Sequence, residues 1–90
     1  MDEYAWIFHG EKADLCTAVF SSLDRAEIWI RQYSVSGMLT RMPVNVSIYD
    51  WVISSGYFEP KKDCQTTSKF IQTFTSAYLE HYHYDNGERR

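Results

Sequence analysis

His81 and His83 stand two positions apart in the run Glu80-His81-Tyr82-His83-Tyr84-Asp85-Asn86-Gly87, with tyrosines alternating between them. On a β-strand that spacing puts both imidazoles on one face and both phenols on the other. Two imidazoles are half of a metal centre. His9, Asp50, Glu80, Asp85, Cys16 and Cys64 are the residues with the chemistry to complete a tetrahedral set. The chain contains no HExxH, CxxC or HxxxH spacing, so the expectation is no bound metal and no cofactor, with His81, His83 and His9 as the weak candidates. His9, at the end of an apolar run, has the right chemistry for acid–base work with Asp50. Cys16, Ser21 and Ser47 are available as nucleophiles, but none sits in a G-x-S-x-G elbow. Helix capping accounts equally well for Asp50, and a turn hydrogen bond for His9, so no catalytic residue is assigned.

Large rings are the second chemical resource. The chain has three Trp, seven Tyr and five Phe in 90 residues, more than so small a domain can bury completely. Tyr49, Tyr57, Phe58, Tyr82 and Tyr84 are the candidates for an exposed aromatic contact surface. Asp50, His81 and His83 join them as candidate binding residues.

Ninety residues at 44% hydrophobic content support one core, with residues 1–90 as a single domain and no separate cofactor lobe. The net charge of −3 argues against nucleic acid as the partner and suits a basic protein. The acidic start Met1-Asp2-Glu3-Tyr4 lacks a basic region and a long apolar stretch. No membrane span is expected, and the expected location is cytoplasmic. Cys16 and Cys64, far apart and outside CxxC spacing, read as reduced thiols, one of them buried in a strand.

Several elements must position these groups. Tyr4–His9 and Leu15–Phe20 are β-prone runs that suggest an antiparallel hairpin. Ser21 stands three before Asp24, and Ala26, Trp29, Ile30 and Tyr33 follow at helical spacing, predicting a helix over about residues 22–33. Met38–Met42 is a short strand stopped by Pro43. Ser47 with Asp50 starts a second helix that ends at Gly56, although the β-branched run from Val44 to Ile53 also permits a strand. Tyr57–Asp63 is a loop. Thr67 or Ser68 caps a third helix with Phe70, Ile71, Phe74 and Ala77 inward, and Leu79–Tyr84 is the last strand. The order β-β-α-β-α-α-β is that of an α+β domain, a small, largely antiparallel sheet with helices packed on one face.

Trp6-Ile7-Phe8-His9-Gly10, Tyr49-Asp50-Trp51, Gly56-Tyr57-Phe58 and Glu80-His81-Tyr82-His83-Tyr84, with Ala18-Val19-Phe20, Trp29-Ile30 and Pro60-Lys61 between them, carry a resemblance over nearly the whole chain. The chain resembles a family of small bacterial single-domain proteins of unknown function, with a WxFHG-like opening, a central YDW and a terminal EHYHY. The resemblance implies a bacterial, cytoplasmic protein and carries over no activity. The leading functional expectation is a non-catalytic protein-binding domain, in its specific form a bacterial immunity- or antitoxin-type inhibitor of a basic toxin. The alternatives are a small metal-dependent or hydrolytic enzyme using His81, His83, His9 and Asp50, and a homo-oligomeric module pairing through its last strand.

Overall fold

A computed structural model describes residues 3–90. Its elements are β1 (Tyr4–Gly10), β2 (Ala18–Phe20), α1 (Leu23–Tyr33), β3 (Gly37–Pro43), α2 (Ile48–Ser54), a 3-10 turn at Asp63–Thr66, α3 (Ser68–Gln72), β4 (His81–Asp85) and β5 (Glu88–Arg89). The strands form one sheet in the order β2-β1-β3-β4-β5, with every neighbouring pair antiparallel. The α+β class and the element order are those implied by the sequence, with one strand added. Asn86 and Gly87, at φ 50° and 84°, make a two-residue turn that folds Glu88 back against Asp85. Asn-Gly between two strands is the strongest short hairpin signal, and it extends the sheet beyond Tyr84. No helix among the described residues is long and apolar enough to cross a membrane.

α1 is built as its spacing predicts, one residue later at its start. Ser22, not Ser21, is the N-cap, its hydroxyl accepting from the Arg25 N–H at 3.2 Å. Asp24 in the first turn and Arg31 in the last both complement the helix dipole. Ala26 and Ile30, one turn apart, are fully buried and meet Trp6, Phe8, Leu39 and Tyr84 in the main core. Trp29 seals the edge of that core, its ring 5.5 Å from those of both Phe8 and Phe20.

The helices divide between the two faces of the sheet instead of gathering on one. Leu39 of β3 points into the α1 core, so strand alternation sends Met38, Thr40 and Met42 to the opposite side. There they line a cleft with Ile48 of α2 and with Ala77 and Leu79. The segment between β3 and β4 also makes an aromatic cluster of its own, in which Tyr49 packs against Phe58, Phe70 and Phe74. Covering a second sheet face requires a contact between distant segments, which helical periodicity does not report.

Two local expectations change. The second strand begins at Ala18 rather than Leu15, because its pairing with β1 starts opposite Phe8. Cys16 therefore lies outside the strand and is exposed, as is Cys64, and neither thiol is buried. α3 has five residues, too few to carry an apolar stripe from Phe70 to Ala77, and Ile71 is partly exposed. Both segments lack the length over which side-chain periodicity fixes an orientation.

α2 keeps its sequence markers. The Ser47 hydroxyl accepts from the Asp50 N–H at 3.0 Å, and the Gly56 and Tyr57 N–H groups return to the Ile53 and Val52 carbonyls, the paired bonds of a Schellman end. Gly56 is at φ 81°, in open space. Gly37 is constrained differently. A Cβ there would lie 2.8 Å from Phe8 Cζ and 2.9 Å from Gly10 Cα, and closer still to the His9 carbonyl oxygen. Gly37→Ala is expected to lose ~1–3 kcal/mol or more by overpacking β3 against β1, and Gly56→Asn to lose less than Gly56→Val, since asparagine tolerates the left-handed region. Urea denaturation of the variants checks both. A Gly37→Ala midpoint equal to wild type would contradict the close strand approach.

Candidate functional site

β4 presents its two kinds of side chain to opposite sides of the sheet. Tyr82 and Tyr84 pair with Leu39 and Gly37 on the α1 side, and His81 and His83 pair with Thr40 and Met38 on the other. The alternation read from the sequence is thus realised, and it assigns the phenols to structure. Tyr84 is buried, its hydroxyl donating to Glu27 Oε2 at 2.6 Å. Arg89 of β5 donates to the same oxygen from Nη2 at 2.5 Å and from Nε at 3.1 Å. Tyr82 stacks on Trp6, lies under the Arg89 guanidinium at 4.0 Å and donates its hydroxyl to Glu80.

This network shifts its members in predictable directions. Burial alone would raise Glu27, but hydrogen bonds from Tyr84 and Arg89 and the charges of Arg89 and Arg31 outweigh it and hold the carboxyl below its ordinary value. Burial and the bond to Glu27 push Tyr84 up to about 12. The Glu80 carboxylate and, secondarily, burial raise the Tyr82 phenol.

The opposite face carries the histidines. The His81 and His83 rings meet edge to face with centroids 5.5 Å apart. His81 is half-buried, and its Nδ1 lies 2.7 Å from the Leu79 carbonyl, which can only accept, so Nδ1 carries the proton. His83 is exposed. In the next row of the sheet Met38 is flanked by His83 on β4 and by His9 on β1. Two strand spacings put the backbones of His9 and His83 about 10 Å apart. His9 is held separately, its Nε2 donating to the Ala13 carbonyl at 2.7 Å.

Asp50 does not meet His9. Its carboxylate accepts from the Ser47 hydroxyl at 3.0 Å at the start of α2, so it serves the cap and the acid–base pair is not formed. Among the described residues no three His, Cys, Asp or Glu side chains gather as a metal centre. Tyr49, a candidate for the exposed aromatic surface, is instead buried, its hydroxyl donating to the Gln65 carbonyl at 2.8 Å, and Phe58 packs beside it. Tyr57 does reach the surface. It stacks face to face on Tyr78 at 4.5 Å, with Trp51 behind it.

The histidine face holds surface groups that sequence reasoning missed. Val19 is 62% exposed on β2, beside Ile7 on the same side of the sheet. Met38 is 37% exposed and lies at the junction of two clefts. One, of about 290 Å³, runs toward α2 between Thr40, Met42, Ile48, Leu79 and His81. The other, of about 310 Å³, runs toward His9 and His83 between Glu11, Lys12 and Arg90. Strict alternation about Leu39 in β3 would have pointed to Met38.

Residues 5–90 match the model of a family described as a domain of unknown function (DUF7710), and the chain belongs to that family. No curated protein and no solved structure matches it.

The Glu27 network makes stability pH-dependent on both sides of neutrality. Because the folded-state value of Glu27 lies below 4.5, its contribution is present above about pH 4.5 and is lost as pH falls through that lower value. Because Tyr84 is raised from 10.0 to about 12, its contribution is present below pH 10 and is lost as pH climbs toward 12. Glu27→Gln is expected to lower the melting temperature at pH 7 and to flatten the acid limb of its pH profile relative to wild type. Scanning calorimetry from pH 3 to 8 checks this, and an unchanged acid limb would contradict it.

Proposed function

We propose that this protein is a non-catalytic binding module that recognises another protein through the histidine-bearing face of its sheet. The observation that carries the reading is the exposure of Val19 and Met38 on that face, beside a cleft of about 290 Å³ that opens at Met38. Apolar side chains held out from a rigid sheet gain roughly 25 cal/mol for each Å² they remove from water on docking. A thioether adapts its shape to what it meets. His9, His83, Lys12, Glu11 and Arg90 line the second cleft at Met38 and give that side of the apolar centre the polar rim of a protein interface.

The specific form of the proposal is a bacterial, cytoplasmic inhibitor of the immunity or antitoxin kind. Small size and a net charge of −3, which suits a basic toxin, support it. Its occluding surface would then be a preformed sheet face, with little ordering entropy to lose on binding.

The test compares three tagged forms of the full chain, expressed in cells that naturally make it: wild type, Val19→Glu, and Tyr78→Ser on the separate aromatic surface. Quantitative mass spectrometry of the purified complexes is expected to find a stoichiometric partner with wild type and Tyr78→Ser. With Val19→Glu its recovery should fall at least about tenfold, because a charge is buried in the apolar centre. A partner that survives Val19→Glu, or one released only by Tyr78→Ser, would overturn the assignment of the face.

A further inference from the structure

We infer that His81, His83 and Met38 form a three-ligand site for a soft monovalent metal ion, cuprous copper, on the open face of the sheet. This goes beyond the protein-binding proposal and does not depend on it. Three observations converge on the site. The two imidazole centroids are 5.5 Å apart, close to the roughly 5 Å expected when metal–nitrogen bonds of ~2 Å hold two rings on one trigonal ion. The Nδ1–H of His81 is committed to the Leu79 carbonyl, leaving the Nε2 lone pair for a ligand. A histidine pinned through its other nitrogen is the usual outer-shell arrangement of a metal site. Met38 is directly opposite His83 in the register and diagonal to His81, separations of about 5 Å and 7–8 Å between side-chain roots that a long side chain spans. It also lines one cleft with His81 and the other with His83.

The donor set selects the ion. Two neutral imidazoles and a thioether supply no negative charge, and thioether sulfur is a soft ligand that favours Cu(I). Zinc prefers four ligands, and its sulfur donors are thiolates. Lys12 and Arg90 line the His83 side against the single carboxylate of Glu11. Their repulsion opposes any cation, and it is twice as large for a dication as for a monocation at the same place. The surroundings therefore reinforce the preference for Cu(I) over zinc.

The test uses the full chain carrying Cys16→Ser and Cys64→Ser, since both thiols are exposed and would compete for the metal. The purified protein is titrated with Cu(I) under anaerobic conditions against bathocuproine disulfonate, with the methionine methyl resonances followed by NMR. The expected result is one equivalent of Cu(I) bound, a shift of the Met38 methyl signal, and no displacement by zinc. Met38→Leu and His83→Gln, both at exposed positions, should keep the parent circular dichroism spectrum and lose affinity by about tenfold or more. Absence of Cu(I) binding would overturn the inference, as would parental affinity in Met38→Leu or equal uptake of zinc. The titration contains no partner protein, so its failure is separate from that of the binding proposal.

Discussion

β3 lies in the middle of the sheet and is paired residue by residue with β1 on one side and β4 on the other, so its register decides what each face of the molecule carries. A slip of one residue would exchange Leu39 for Met38 in the α1 core and turn both histidines inward. Gly37 fixes one end of that register. Phe8 crosses over it and the Gly10 backbone lies against it, a fit that only a residue without a side chain allows. Leu39, fully buried, fixes the middle, because placing a polar neighbour there would bury it without partners.

The β5 edge of the sheet is tied to α1 by a polar contact. Glu27 on α1 receives Tyr84, 57 residues away in sequence, and Arg89, 62 residues away. These bonds tie the terminal hairpin across the helix that forms early in the chain. Ser36 adds to the closure, its hydroxyl oxygen accepting from the Asn86 N–H at 2.9 Å and Gly87 donating to the Val35 carbonyl at 2.9 Å. Bringing such distant segments together costs loop-closure entropy. The aromatic cluster around Tyr49 organises part of the intervening chain and reduces what remains to be ordered.

The features legible in the sequence are those written in short-range spacing. Ala26 and Ile30 mark the inner side of α1, Ser47 and Gly56 bound α2, and the alternation from His81 to Tyr84 gives the two sides of β4. Each is a rule linking residues within about one helical turn or one strand. What was not legible depends on distant partners. Tyr49 and Tyr84 look like surplus aromatic surface until Gln65 and Glu27 supply acceptors for their hydroxyls. Asp50 and His9 look like an acid–base pair until each is found bonded to a near neighbour. The Asn86-Gly87 hairpin is the exception, a local signal that starts a fifth strand beyond Tyr84.

The functional account rests on the side of the sheet to which Met38 belongs. The binding proposal needs its side chain exposed on the same face as Val19, and the copper site needs it beside His83. The most direct measurement is the set of nuclear Overhauser contacts made by the Met38 methyl group in the purified protein. The account predicts contacts to the His83 ring and none to the Ala26 or Ile30 methyl groups, which should instead contact Leu39. Contacts from Met38 to Ala26 or Ile30 would mean that β3 sits in the other register, and would contradict the assignment of both faces.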